Sequence, residues 1–231
     1  IMGSCCARPR TCIVVSPPLE DRDEWEEFQR LLKEDLNDPA TDWKIKKDWA
    51  ANYKNDYKIR ISLKPDTTTG NPNHILRADV KFRGVTAQDH LDCLVTPDNL
   101  PGLQELKTVE TLPDGYIKYC RVKAPCLDAR DHCWKYTIDH REDGSIFCCL
   151  RTATHPKCPL KAGVVRAYYY NATLITMSAD EPGVMCFTEF IQQDLKGGLP
   201  VCLMNAALPA GTVAANDNEM KTFKKKGLFK P

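Results

Sequence analysis

The spacing of apolar residues predicts an amphipathic helix near the start of the chain. Over residues 21–36 the apolar positions lie three or four apart, and acidic residues fill the first turn, where they suit the positive end of a helix dipole. These apolar positions are Trp25, Phe28, Leu31, Leu32 and Leu36. The pattern then changes to the alternation of strands over residues 42–50, 57–64 and 75–85.

A short second helix is predicted to begin at Thr86, whose side chain can cap it. After it the pattern is almost entirely that of strands. The strand-like segments are residues 103–111, 115–123, 132–140, 145–154, 164–178 and 183–194. Turn sequences such as Pro-Asp-Gly at 113–115 and Glu-Asp-Gly at 142–144 separate neighbouring strands, which predicts an antiparallel meander.

The last helix decides the predicted architecture. It begins at about Pro200 and is interrupted by Pro209 and Gly211. A curved antiparallel sheet has to bury one face, and this helix is the element left to cover it. We therefore expect an α+β fold in which a curved antiparallel sheet of about nine strands wraps around a long C-terminal helix.

Composition narrows the classes of function. The 231 residues are 42% hydrophobic and 27% charged with a net charge of +1, which provides no basic field for nucleic acid. No apolar run is long enough to span a bilayer. We expect an intracellular, cytoplasmic protein, with membrane association and an organellar location left open. Its expected parts are an irregular extension over residues 1–20, a domain over 21–225 and a tail over 226–231.

The twelve cysteines are predicted to be reduced thiols, because a chain of this length can bury a core without disulfides. Two pairs, His132 with Cys133 and His155 with Cys158, raise the question of a metal. Neither has the spacing of a zinc site, which uses two well-separated ligand pairs. The sequence therefore predicts neither a metal nor a cofactor.

Three motifs identify a family resemblance. APCLDARD at 124–131, GVVRAYYY at 163–170 preceded by HPKCPL, and DLKGGLP at 194–200 resemble, in order and spacing, the steroidogenic acute regulatory-related lipid transfer (START) domain. The resemblance covers roughly residues 21–223. It implies a helix-grip fold and a noncatalytic carrier that holds one lipid, more plausibly a phospholipid than a sterol, in a tunnel. A sixteen-carbon chain in water would cost on the order of 13 kcal/mol, so the tunnel has to be enclosed.

Strand alternation assigns side chains to the tunnel. His132, Trp134 and Tyr136 share the side predicted to face inward, while Tyr119 and Arg121 share one side of their own strand. In phosphatidylcholine-binding members, the resemblance implies, aromatic residues around the choline match Tyr119, His132, Trp134 and Tyr170, where cation–π attraction would hold the ammonium. The alternative is that these residues fill a half-buried sheet face. The complete predicted lipid-binding set is Tyr119, Arg121, His132, Trp134, Tyr136, Arg151, Tyr170, Glu189 and Leu203.

The chain departs from the family at both known head-group sites. The region TPDNLPGLQEL at 96–106 lacks the arginine that choline-lipid members use for phosphate. The acid and arginine of sterol carriers fall on Ile117 and Tyr136. The remaining interior charges, Arg121, Arg151 and Glu189, would contact a head group or form structural ion pairs. Arg130 and Asp131 are expected to be structural.

The segment Gly197, Gly198 and Pro200 precedes the last helix and has two interpretations. In the first interpretation, the segment supports a lid that shifts when the ligand enters. Alternatively it is a fixed turn in which glycine permits an unusual backbone conformation.

The N-terminal sequence suggests lipid anchoring. Gly3 after Met2 resembles a myristoylation start, with Cys5 and Cys6 as palmitoylation candidates. Ile1 before Met2 and Ala7 in place of Ser or Thr weaken this prediction, and the alternative is a processed or internal start.

Two other functions compete with the carrier. The first is an interaction module in a larger protein assembly, and the second, suggested by related polyketide cyclases, is an enzyme with His132 as its general base. We predict no enzyme activity. The expected partners are a lipid and a membrane surface, touched transiently or through acyl groups, and protein partners in an assembly are left open. The basic end from Lys221 to Lys230 is more simply explained as a solvated helix end than as a contact with anionic lipid.

Overall fold

A computed structural model describes residues 23–52, 57–67, 71–97, 100–123 and 127–228. Gly3, Cys5 and Cys6 lie outside the described residues. Its helices are α1 (Glu24–Leu32), α2 (Ala87–Val95) and α3 (Val201–Lys225). Its strands are β1 (Lys44–Asn52), β2 (Tyr57–Lys64), β3 (Ile75–Arg83), β4 (Leu103–Leu112), β5 (Gly115–Val122), β6 (Ala129–His140), β7 (Ile146–Thr152), β8 (Val164–Arg166), β9 (Tyr168–Met177) and β10 (Val184–Asp194).

All these strands form one sheet. Nine of them follow the order β1-β2-β3-β10-β9-β7-β6-β5-β4 with antiparallel neighbours, and β8 pairs with β6 from outside this path. The sheet is curved, and α3 is the long helix at the end of the chain. The predicted α+β helix-grip fold with about nine strands is confirmed.

The single strand predicted over residues 164–178 was wrong. The structure divides it into β8, which runs parallel to the start of β6, and β9, which lies antiparallel between β7 and β10. The break falls at Ala167, whose N–H donates to the Asp131 carbonyl of β6 at 3.0 Å. That bond belongs to the β6 pairing, so the chain has to turn before β9 can pair with β7.

The predicted interruption of the last helix was also wrong, because α3 continues through Pro209 and Gly211. A proline inside a helix removes one hydrogen bond and crowds the preceding turn. Leu208 and Thr212 lie on either side and are buried, and the Thr212 hydroxyl donates to the Leu208 carbonyl at 3.0 Å. Packing against the sheet thus holds the helix together across a local breaker.

Helix α1 covers the outer face of the sheet. Asp23 caps it by accepting from the N–H of Trp25 at 2.9 Å and of Glu26 at 3.1 Å. Its buried residue Phe28 meets Phe147 and Phe190 edge to face, with ring centroids 5.3 and 5.2 Å apart. We call the set Phe28, Leu31, Leu36, Trp43, Ile75, Phe147, Cys149, Ala172 and Phe190 the outer cluster.

Helices α2 and α3 cover the opposite, inner face. Thr86 and Asp89 form a reciprocal capping box at the start of α2. Along α3, Leu208, Met220 and Phe223 join the core of the inner face. Among the described residues, no helix combines the length and apolar character that a membrane crossing requires.

Candidate functional site

A cavity of about 490 Å³ lies between the inner face, α2 and α3. Apolar side chains form most of its wall, including Leu94, Val122, Leu150, Phe187 and Ile191. Its size lies within the range of about 300–1,000 Å³ that is usual for sites of single small ligands. The long helix therefore leaves part of the curved sheet uncovered.

The residues of β6 face the cavity as the alternation predicted. His132, Trp134 and Tyr136 all line it. The rings of His132 and Trp134 are 4.8 Å apart between centroids, and Tyr136 donates its hydroxyl to the Leu94 carbonyl at 3.3 Å. Burial lowers the pKa of His132 to about 4, so its imidazole is neutral at physiological pH.

Glu189 on β10 is the buried acid of the cavity. Its carboxylate accepts a hydrogen bond of 2.8 Å from the amide of Asn171, which accepts one of 2.6 Å from the Thr173 hydroxyl. Burial raises the pKa of Glu189 to about 7, because the charged form loses its hydration. No lysine or arginine side chain forms an ion pair with it in the described part of the chain.

Polar contacts fix α3 over the cavity at three points. Near its start, the His74 N–H donates to Asn205 Oδ1 at 2.9 Å. Further along, the Tyr57 hydroxyl donates to Asp217 Oδ1 at 2.8 Å. His90 of α2 pairs through Nδ1 with Glu219 and stacks on Phe187, with centroids 4.2 Å apart. Sequence reasoning missed His90, Asn216 and Glu219 as cavity residues, because a helix shows its buried face only once its partner is known.

Solved structures of START proteins have the same arrangement of sheet and helix. Human STARD10 superposes with a TM-score of 0.68 at 17% identity, covering 87% of this chain and 79% of its own. Human StAR-related lipid transfer protein 5 gives 0.69 at 19%, covering 87% and 94%. The lipid transfer and protein localization domain of human StarD13 gives 0.63 at 19%, covering 91% and 98%.

The chain has the START fold. No protein-family model and no curated protein matches its sequence. Because the identities lie below 25%, these similarities establish the fold, and the site has to be argued from this chain's own residues.

The structure places Tyr119 and Arg121 outside the cavity, which corrects their predicted position. Residues directly opposite in an antiparallel pair share a face. Tyr119 lies opposite Cys133, whereas Cys120 lies opposite His132, so Tyr119 and His132 occupy opposite faces. Tyr119 packs with Ile117, Cys133 and Cys158 instead.

Lys118, rather than Tyr119, lies on the inner side of β5. A lysine within a strand suggests the solvent side, yet Lys118 lies opposite Trp134 on the inner side and is buried. Its ammonium donates to the Val95 carbonyl at the end of α2, where a cation suits the helix dipole. Burial lowers the pKa of Lys118.

Tyr170 also lies outside the cavity, and Tyr169 lines it instead. Tyr170 packs against the outer cluster. Three tyrosines in succession, Tyr168, Tyr169 and Tyr170, conceal the alternation, so only the pairing of β9 with its neighbours reveals the faces. Tyr169 pairs with the cavity residue Gln193 of β10.

The two remaining predicted residues that lie outside the cavity occupy different surroundings. Arg151 forms an ion pair of 2.7 Å with Glu24 of α1, which is the structural alternative for an interior charge. Leu203 lies in the first turn of α3 and is 60% exposed. His132, Trp134, Tyr136 and Glu189 are thus the predicted residues that the structure brings together, and their role in binding stays a prediction.

The turn between β10 and α3 has a left-handed backbone at Lys196, Gly197 and Gly198, with φ of 52°, 68° and 80°. Arg130 holds this turn by donating to the carbonyls of Leu195 and Lys196, each at 3.3 Å. A Cβ at Gly197 would lie 2.6 Å from Arg130 Nη2. These contacts favour the fixed-turn interpretation of the predicted hinge, with Pro200 as the residue before the first helical turn.

Asp131 is structural, as expected from the sequence. Its carboxylate receives hydrogen bonds of 2.7 and 3.1 Å from Arg166, which ties β6 to β8. Cys120 and Cys148 are buried free thiols whose pKa values burial raises to about 12. Within the described ranges, no three His, Cys, Asp or Glu side chains are grouped so that they could hold a metal ion.

Proposed function

We propose that the protein binds one hydrophobic ligand in this cavity and carries it between membranes. The observation that supports this proposal is the apolar cavity of about 490 Å³ between the inner face and α3. Two of the structurally similar proteins are described as lipid transfer proteins or domains. An apolar cavity in a START fold suits the same use in this chain.

Ligand entry requires α3 to move away from the sheet. Asn205, Asp217 and Glu219 are among the residues that form its polar contacts with the rest of the domain. A typical hydrogen bond contributes only about 0.5–1.5 kcal/mol net, which is small beside the cost of transferring an acyl chain through water. The contacts therefore hold the helix closed without preventing exchange.

The predicted preference for a phospholipid over a sterol stays a prediction. Among the described residues that line the cavity there is no lysine or arginine for a phosphate. The second predicted alternative, a cyclase-type enzyme, requires a proton acceptor. Because burial lowers the pKa of His132 to about 4, this side chain is a weak base at neutral pH.

A carrier also has to meet a membrane, and the start of α3 suits this contact. Residues 201–216 contain no charged side chain, and Leu203 is 60% exposed. We include in the proposal a transient membrane contact through the first turn of α3, which carries Leu203. Anchoring through acyl groups at Gly3, Cys5 or Cys6 is a separate prediction, which the intact mass of the cellular protein tests.

Native mass spectrometry and transfer between vesicles test the carrier. Purified protein is expected to retain one lipid and to move a fluorescent lipid from donor to acceptor vesicles. Ala215→Trp should fill the cavity and weaken ligand binding by at least about tenfold, which corresponds to 1.4 kcal/mol. The matched control is Ala210→Trp, an exposed position of the same helix that does not line the cavity.

The proposal fails if the purified chain retains no lipid, transfers none, and responds equally to both tryptophan substitutions. An empty cavity together with stable protein subunits in the native spectrum would favour the interaction-module alternative.

A further inference from the structure

Two buried polar groups on β6 point to the chemistry of the ligand. Trp134 Nε1 and His132 Nδ1 have no hydrogen-bond partner in the described part of the chain, although these residues are only 5% and 6% exposed and line the cavity. A buried unsatisfied donor or acceptor costs about 1–3 kcal/mol. An indole N–H can only donate, so the partner that Trp134 Nε1 lacks is an acceptor atom.

The opposite wall of the cavity, formed by α3, carries an unsatisfied hydrogen-bond acceptor. On α3, Asn216 Oδ1 has no hydrogen-bond partner among the described residues, while its amide nitrogen donates to the Thr212 carbonyl at 2.9 Å. Asn216 is 3% exposed and lines the cavity. Its free oxygen can only accept. A ligand that satisfies both walls therefore has both a donor and an acceptor.

The charges around the cavity exclude an anionic polar end. The titratable side chains of its described lining are carboxyls and imidazoles, those of Glu189, Glu219, His90 and His132, together with tyrosine and cysteine. A phosphate is usually held by arginine or lysine, and a buried charge without a partner is costly. A phosphate in this cavity would face carboxyl groups with no cation to compensate.

Nearby cations are already engaged outside the cavity wall. Arg130 holds the carbonyls before α3, Lys118 holds the end of α2, and Arg151 pairs with Glu24. Glu189 is buried beside Asn171, and burial raises its pKa to about 7, so a large share of the carboxyl is uncharged near neutral pH. This wall therefore suits an uncharged polar end.

A ligand with a protonated amine would suit the carboxyl groups of the cavity, but it would not satisfy the donor of Trp134. Trp134, His132 and Tyr169 form an aromatic group, with the Tyr169 ring centroid 6.1 Å from that of Trp134. Such a group attracts cations. An ammonium group, however, has no lone pair to accept from Trp134 Nε1, whereas a hydroxyl or a carbonyl oxygen does.

We propose, resting on the carrier function above, that the cavity selects an uncharged amphiphile whose polar end carries hydroxyl and carbonyl groups, held by Trp134 and Asn216, and rejects lipids with a phosphate. One acyl chain or one compact ring system is the expected apolar part, because the cavity has the size of a single-ligand site.

Three probes with the same hydrocarbon length test this selection: palmitoyl monoacylglycerol, palmitoyl lysophosphatidate and hexadecylamine. The first two differ only in the phosphate. Dissociation constants are measured for the full chain, stripped of bound lipid, by competition against a fluorescent fatty probe below the micellar concentration. We expect the monoacylglycerol to bind at least about tenfold tighter than lysophosphatidate, because one unpaired buried charge costs more than 1.4 kcal/mol. It should bind about three- to tenfold tighter than hexadecylamine, because the ammonium leaves the Trp134 N–H without an acceptor.

Trp134→Phe removes the N–H and keeps an aromatic ring. It should weaken monoacylglycerol binding by about three- to tenfold, the worth of one hydrogen bond, beyond any change that it causes in the binding of the fatty probe. Trp25→Phe is the matched control, since Trp25 packs on Phe28 and Phe147 at the outer face. The wild-type comparison of the three probes does not depend on how either variant folds.

The outcomes separate the two proposals. If the protein binds the fatty probe but prefers lysophosphatidate or hexadecylamine, or binds the three equally, the selection is wrong and the carrier function stands. The selection is also wrong if both tryptophan substitutions have the same effect. If neither the fatty probe nor any amphiphile binds, the carrier function itself is wrong.

Discussion

The outer and inner faces of the sheet are made by the same strands but packed in opposite ways. On β10, Phe190 belongs to the outer cluster, which α1 covers with closely packed aromatic rings. Three residues earlier, Phe187 faces inward and borders the cavity. One face is filled with side chains, and the other keeps a hollow.

This difference shows how a single sheet separates stability from binding. Burying aromatic surface on the outer face stabilises the fold without a ligand. The inner face loses packing contacts around the cavity and leaves Trp134 Nε1 and Asn216 Oδ1 without hydrogen-bond partners among the described residues, which lowers the stability of the empty protein. A ligand that fills this space restores both contributions, so binding and stability are linked.

The largest expected effect comes from truncating the outer face. Phe190→Ala should lower the free energy of unfolding by about 3–5 kcal/mol, because it leaves a new cavity in a packed cluster. Phe187→Ala should cost the empty protein about 2 kcal/mol, mainly the lost transfer term, since its side chain already borders open space. Chemical denaturation of both variants measures the difference.

The same pair should show the reverse order in ligand binding. Phe187→Ala changes the dissociation constant of the fatty probe, whereas Phe190→Ala leaves it unchanged at temperatures where the variant is folded. Equal losses of stability, with equal effects on binding, would mean that the two faces are not used differently.

The next effect is a pH dependence that comes from the inner face. The pKa of Glu189 rises from 4.5 in the unfolded chain to about 7 in the folded protein. Between these values the unfolded chain ionises while the buried carboxyl does not, so stability falls as pH rises from about 4.5 to 7, by about 3 kcal/mol in total. Above about pH 7 this contribution changes no further.

His132 acts in the opposite direction, because its pKa falls from 6.5 to about 4 on folding and its contribution is lost as pH falls through that range. The changes in stability with pH that come from Glu189 and from His132 partly cancel in the wild type. The measurement is therefore the difference in unfolding free energy between the wild type and Glu189→Gln from pH 4 to 8. A difference that does not vary with pH would show that Glu189 is not buried as an acid.

A smaller effect is expected in the turn that connects the sheet to α3. Gly197→Ala should destabilise the protein by about 2 kcal/mol, because a left-handed backbone disfavours alanine and the new methyl group displaces Arg130. Gly198→Ala should cost about 1 kcal/mol, since its Cβ meets only open space. Thermal and chemical denaturation compare the two, and identical losses would contradict the role assigned to Arg130.

The smallest effect on stability is expected at the exposed start of α3. Leu203→Asp should change the free energy of unfolding by less than about 0.5 kcal/mol, because the side chain is on the surface. It should slow transfer between vesicles by about tenfold if this leucine enters the membrane during exchange. Leu160→Asp, at a leucine that is 76% exposed between β7 and β8, is the control that should transfer normally.

The sequence predicted those features that depend on local chemistry. The helix around Phe28 and the capping residue Thr86 are local, and the hairpins follow from their turns. Alternation along β6 was sufficient because His132, Trp134 and Tyr136 contrast with their neighbours. The positions of Tyr119 and Tyr170 came from the family resemblance instead, and the structure places both on the other face of the sheet.

The missed features depend on pairing across long distances in the chain. The division between β8 and β9 is set by hydrogen bonds to β6. The continuity of α3 through Pro209 is set by burial against the sheet. His90 and Glu219 come from separate helices and meet only when both lie on the inner face. Register and helix packing, rather than residue type, therefore limited the prediction of the site.

Arg130 lies two residues before His132 on β6, and its guanidinium donates hydrogen bonds to the backbone carbonyls of the turn that precedes α3. The start of α3 is thus bound to β6, the same strand that carries His132 and Trp134 in the cavity. Because Arg130 fixes the chain before the helix, any movement of α3 away from the sheet would have to break the contacts of Tyr57 and His90 with its second half, where Met220 and Phe223 are buried.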